Sequence, residues 1–271
     1  MLEAMFDAHL HVVDSATSGR DQTDHPDGAW WEGVDAGPPA IAARLDAAGV
    51  SGGVLVQAVG AHGFDNRFVL ASAAALGEQW RCVVAVGDHS DDPVGTLVRA
   101  VESGATGARL FSIPAPVESW LDDDRGHLIV ETCRAIKMTP TICCMPEEVS
   151  IAARLVAAYP DVEFAIDHAG FASIGGDEGD LGELVAQPNL TVKLSTGVFD
   201  HSPLEPAAVT RRLLDMVGHE RLAWGSDHPQ IRDRSYAELA TLARSALDGL
   251  PSHVQAAVLV ETTRRLWFPS S

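Results

Sequence analysis

Lysine is almost missing from this chain: Lys137 and Lys193 are the only two in 271 residues, and 19 basic residues face 38 acidic ones for a formal charge of −19. Such an acidic excess repels a phosphate backbone, because non-specific nucleic-acid affinity comes from Lys and Arg neutralising phosphates. Nucleic-acid binding is therefore not expected. The acidity reads as a solubility device, and an anionic substrate would have to be met by a few local arginines. Long apolar runs are missing too. None approaches the roughly 20 residues of a membrane span, and residues 1–7 show no basic region leading into an apolar one. A cytoplasmic protein with no membrane role is the expectation. The four cysteines, Cys82, Cys133, Cys143 and Cys144, lie in apolar segments without CxxC spacing. That argues against a disulfide framework or a structural zinc knot, and reduced, buried thiols are expected. The chain also lacks internal repeats, low-complexity tracts and linkers that would divide it.

What is present is alternation. Short Val/Ile/Leu-rich runs at 4–12, 53–58, 82–86, 107–111, 141–145, 163–168, 191–195 and 222–226 are separated by Ala/Leu/Arg stretches of helical period. The helical stretches fall near 40–48, 66–79, 93–103, 126–136, 147–158, 181–186, 206–217 and 235–247, with a terminal helix near 254–266. Eight strand–helix units in a chain slightly longer than the roughly 250 residues typical of the type predict a single-domain α/β fold, the (β/α)8 TIM barrel, over residues 1–271. The competing open doubly wound sheet would want a glycine-rich phosphate turn after an early strand, where this chain reads His9-Leu10-His11. The irregular, Asp/Gly/Pro-rich segment 14–39, which carries Trp30 and Trp31, is expected to lie over the barrel mouth.

Side chains at the C-terminal ends of barrel strands converge on one mouth. His9 and His11 are two residues apart and so share a face, within reach of one cation. In a closed barrel the last strand neighbours the first, which brings Asp227 beside them. His168 ends the sixth strand. Arg109 shares an inward face with Gly107 and Phe111 and is the expected partner of a substrate carboxylate. Lys193 alternates inward with Thr191 and Ser195, as a substrate contact or a partner for Asp227.

The segments Phe6-Asp7-Ala8-His9-Leu10-His11-Val12, Gly107-Ala108-Arg109-Leu110, Asp167-His168-Ala169-Gly170, Val192-Lys193-Leu194-Ser195 and Trp224-Gly225-Ser226-Asp227-His228-Pro229 resemble the amidohydrolase superfamily. The resemblance is to its amidohydrolase-2 branch, which includes 2-pyrone-4,6-dicarboxylate lactonase and sugar lactonases. It spans nearly the whole chain in order. It implies hydrolysis or decarboxylation of a small carboxylated or lactone substrate, with Asp227 taking the proton of the attacking water and His168 as an acid/base or ligand. His9 and His11 would bind a divalent metal or the substrate. Zinc-dependent decarboxylases of the family carry a further His ending strand five, where this chain reads Thr141-Ile142-Cys143-Cys144-Met145-Pro146.

That departure leaves two options: one zinc or manganese ion on His9, His11, His168 and Asp227, with a Cys143 or Cys144 thiolate as a further candidate, or metal-free catalysis. The preferred reading is a catabolic lactone hydrolase acting on a small anionic substrate. A metal-dependent decarboxylase or amide hydrolase is the alternative, and a non-catalytic acid-binding barrel the reading from another class. His62, His89 and His201 are candidate mouth residues, Arg125 a candidate anion contact, and His228 a supporting residue. A homodimer rests only on how common symmetric dimers are.

Overall fold

The computed structural model describes residues 5–14, 31 and 33–268. Eight parallel strands lie in the order of the sequence: β1 (Met5–Leu10), β2 (Val50–Val56), β3 (Trp80–Val86), β4 (Gly107–Ser112), β5 (Thr139–Cys144), β6 (Phe164–Ile166), β7 (Leu190–Ser195) and β8 (Leu222–Gly225). Sequential order without a reversal excludes the doubly wound sheet. The seam between β8 and β1 is closed by backbone bonds just past the strand end: Asp227 N–H donates to His9 O at 2.8 Å and His11 N–H to His228 O at 2.7 Å. Ser226 N–H donates to the side chain of Asp7 at 2.9 Å. The chain is a (β/α)8 barrel, and its seam runs through the predicted reactive residues.

The helices are α1 (Pro38–Ala48), α2 (Val59–His62), α3 (Arg67–Leu76), α4 (Pro93–Glu102), α5 (Asp124–Ile136), α6 (Val149–Ala158), α7 (Leu181–Val185), α8 (Thr196–Asp200), α9 (Pro206–Val217), α10 (Tyr236–Ala246), α11 (Ser252–Ala256) and α12 (Thr262–Trp267), with a π-helical turn, Ala257–Glu261, between the last two. Their starts follow from sequence. Proline opens α1, α4 and α9, where a missing N–H costs nothing. Asp92, Asp123 and Ser235 accept bonds from exposed first-turn amides. The acidic run Asp122-Asp123-Asp124 thus sets the start of α5. No helix among the described residues is long and apolar enough to cross a membrane, and the four cysteines are buried free thiols.

The main apolar layer lies between strands and helices. Inside the barrel the small inward residues Ala8, Ala165 and Ala223 leave room for Leu266 and Trp267, which enter from α12 and fill the floor. Trp31 packs, buried, in the outer layer. Trp30, His25 and most of segment 14–39 lie outside the described residues, as does the expectation that this segment covers the mouth.

Candidate active site

Strand alternation and the seam bring three ligand-type atoms to one point. His9 Nε2 lies 3.3 Å from His11 Nε2, and Asp227 Oδ1 lies 3.7 Å from the first and 3.4 Å from the second. Asp227 sits just past β8 at φ 61°, a left-handed conformation that turns its carboxylate back over the strand ends. Its Oδ1 is buried with no hydrogen-bond partner among the described residues. A tetrahedral ion with bonds of about 2.0–2.1 Å has ligand–ligand edges of about 3.3–3.4 Å. The three separations fit it.

The other ring nitrogens show why both Nε2 lone pairs point inward. His11 Nδ1 lies 2.8 Å from Val56 O, a pure acceptor, so that nitrogen carries the proton. His9 Nδ1 lies 3.1 Å from Asp167 Oδ1. We assign the same tautomer there, since an ionised carboxylate oxygen can only accept a hydrogen bond. A ligating imidazole whose second nitrogen is fixed by a carboxylate or carbonyl is a common metal-site arrangement. Burial draws His9 well below its usual range against the pull of Asp167, so the ring is neutral. Burial opposes ionisation of Asp227 as well, yet His168 and His11 outweigh it and hold that carboxyl below the usual carboxylate range.

Asp167 is the second centre, and sequence reasoning gave it no role. Its Oδ2 accepts from Arg109 Nε at 2.7 Å; its Oδ1 pairs with Lys193 Nζ at 2.9 Å. Fully buried, it is nonetheless held well below the usual range by the charges of Lys193 and Arg109 and by the hydrogen bond from His9. His9, Asp167 and His168 form a second group with ligand spacing. Both Asp167 oxygens are already engaged by cations, so the first triad is the better metal candidate. His168 stands apart from that triad: its Nδ1 lies 2.7 Å from Ser195 Oγ and 4.0 Å from Asp227 Oδ2. Burial lowers the His168 pKa, with Asp227 opposing. Ser195 reaches His168 because it alternates inward with Lys193 on β7.

Lys193 is fully buried and its carboxylate partner is Asp167, where the sequence suggested Asp227. It meets His9 Nδ1 at 3.3 Å and does not line the cavity. Arg109 does, with His11, His168 and Gln230, facing an apolar wall of Val59, Phe111, Ile113 and Phe171 around a cavity of about 20 Å³. Other candidates fall away from it. His62 Nε2 accepts from Asp14 N–H at 3.3 Å, His89 is exposed beside Asp88, and His201 is exposed at the end of α8. Arg125 donates to Ser90 O at 2.9 Å. Burial pushes the Cys143 thiol up to about 12 and Cys144 well above its usual value, so neither is a thiolate, and neither joins a ligand group among the described residues.

A closed parallel barrel with imidazoles and carboxylates gathered at the C-terminal ends of its strands has the layout of a barrel enzyme. Residues 6–268 match the amidohydrolase family (Amidohydro_2), and the chain belongs to it. An L-fucono-1,5-lactonase of Burkholderia ambifaria is 26% identical over 209 residues, 73% of this chain and 71% of the relative. Among solved structures, a protein of Pseudomonas putida assigned as a 2-pyrone-4,6-dicarboxylic acid hydrolase superposes with a TM-score of 0.80 at 22% identity, over 97% of each chain. An amidohydrolase of Burkholderia multivorans with bound zinc superposes with a TM-score of 0.77 at 22% identity, over 98% of this chain and 100% of that one.

Proposed function

We propose that this enzyme hydrolyses a small carboxylated lactone. The observation that carries the reading is Asp227: an ionised, buried carboxylate with an unpartnered oxygen, beside the His9 and His11 rings and next to His168, which lines the same mouth cavity as Arg109. Asp227 accepts a proton from water as the water oxygen bonds to the lactone carbonyl carbon. The bond from that carbon to the ring oxygen then breaks, and the ring oxygen takes up a proton. His168, 4.0 Å from Asp227, is placed to pass on to that oxygen the proton that Asp227 took from the water. The product is a hydroxy acid. Arg109, anchored through Nε by Asp167, aims the rest of its guanidinium at the substrate carboxylate. A binding-only barrel has no reason to gather Asp227, His9 and His168 in this way.

His9, His11 and Asp227 would hold one divalent ion, zinc or manganese. When bound there, it supplies Lewis-acid polarisation of the carbonyl and of water. The same triad serves a metal-dependent decarboxylase or amide hydrolase, the alternative reading. The buried free thiols suit a reducing cytoplasm, and ring opening of an aromatic or sugar acid lactone suits a catabolic role.

A panel of carboxylated lactones, aryl carboxylates and amides, assayed with zinc, manganese or chelator, tests the assignment. Lactone turnover is expected, falling about 10²–10⁴-fold in Asp227→Asn with the circular dichroism spectrum kept. Wild-type turnover in that variant would overturn Asp227 as the base. Loss of carbon dioxide from an aryl acid in place of ring opening would overturn the lactonase.

A further inference from the structure

We propose that Trp267, at the floor of the barrel, is a positioning residue for the site above it. Its indole face seats the Lys193 ammonium, and through Lys193 it fixes Asp167 and the His9 ring. The contacts form one unbroken series. Lys193 Nζ lies 4.9 Å from the Trp267 ring centroid, 2.9 Å from Asp167 Oδ1 and 3.3 Å from His9 Nδ1. Asp167 Oδ1 in turn meets His9 Nδ1 at 3.1 Å, and the other oxygen of Asp167 holds Arg109 at 2.7 Å.

An ammonium carries three N–H groups and no acceptor. At zero exposure, Lys193 finds a carboxylate on one side; the protonated His9 Nδ1 on another offers it no lone pair. The negative face of an indole, the strongest of the aromatic cation acceptors, supplies the remaining contact in a place no solvent reaches. The barrel is built to admit that ring. Trp267 is fully buried among Ala8, Ala165 and Ala223, and position 107 is glycine, where a Cβ would come within 3.0 Å of the indole Nε1 and 2.8 Å of Val83. A leucine in place of Trp267 would fill part of the volume and remove the face. Lys193 would then be free to follow Asp167 into other rotamers, and the carboxylate that orients both His9 and Arg109 would lose its fixed counter-charge.

Only the activity arm of the test rests on lactone hydrolysis. The structural arm uses the scarcity of lysine: a protein labelled with 13C-lysine gives signals from the exposed Lys137 and the buried Lys193 alone. Ring-current displacement of the Lys193 side-chain signals is expected in wild type, reduced in Trp267→Phe and lost in Trp267→Leu. Lys193 signals undisplaced in wild type overturn the proposal, whether or not any variant folds and whether or not a lactone is the substrate. In the activity arm, Trp267→Leu lowers kcat/KM about tenfold and Trp267→Phe restores most of it, whereas in a Lys193→Met background Trp267→Leu changes it by less than about twofold. Equal losses in both backgrounds would make Trp267 a packing residue and overturn the positioning role.

Discussion

Asp167 binds two cations and a histidine from the interior of the barrel, and its removal should be felt in stability before it is felt in catalysis. Asp167→Asn keeps the shape but leaves Arg109 and Lys193 buried without a counter-charge. Breaking a buried pair on one side costs about 3–5 kcal/mol, so urea denaturation should show a loss of that order; a loss below about 1 kcal/mol would mean that the pairs are solvated in solution. This residue was hidden in the sequence for a definite reason. On a regular strand six, Asp167 and His168 would face opposite sides, and only one could be assigned inward. The strand stops at Ile166, and both reach the interior. His9, His11 and Asp227 were legible because their placement follows from a two-residue period and the closure of the barrel, which are properties of any such fold. Contacts that cross the barrel, such as Lys193 to Asp167, depend on side-chain length and rotamer and leave no spacing to read.

The turn after β6 is the element that departs most from its sequence expectation. His168, Ala169, Gly170 and Phe171 hold φ of 53°, 52°, 64° and 55°, one turn of left-handed helix in which only one residue is glycine. Each non-glycine residue there costs roughly 1–2 kcal/mol. The reward is placement: His168 faces Ser195 and Asp227, and Phe171 stacks on His168 with centroids 4.9 Å apart. Relief of strain should offset the lost methyl in Ala169→Gly, leaving stability within about 0.5 kcal/mol of wild type. The same change at Ala152, equally buried in the right-handed α6, should cost about 2 kcal/mol. Equal losses at the two positions, measured by thermal unfolding, would show that the turn is not strained. Elsewhere the elements followed their local signals, with Pro and Asp at helix starts and Gly77 ending α3 three residues before the expected end.

At the scale of the molecule, the barrel closes at its candidate site. Asp7 accepts from the Ser226 and His9 amides, each at 2.9 Å, and from the Tyr236 hydroxyl at 2.8 Å, so one carboxyl ties β1, β8 and α10 together. Burial outweighs those bonds and raises its pKa from 3.8 to about 6. A carboxyl that binds its proton more tightly folded than unfolded stabilises most below pH 4, and the contribution is lost as pH rises through 6, a difference of about 3 kcal/mol. Asp7→Asn keeps the accepting oxygen and never ionises. Its stability relative to wild type should therefore climb by up to that amount between pH 4 and pH 7, and a flat difference across the window would contradict the reading.

The mouth cavity, at about 20 Å³, has room for roughly one water molecule. A lactone ring needs several times that enclosed space, so the wall of Val59, Phe111, Ile113 and Phe171 is expected to part as a ligand of that size settles against Arg109. Capture then waits on opening: the observed rate of binding rises with ligand concentration only until it meets the rate at which the wall moves, and levels off there. The expected outcome is a binding rate that levels off at the speed of this wall, and stopped-flow binding that stays linear in concentration would show the mouth already open.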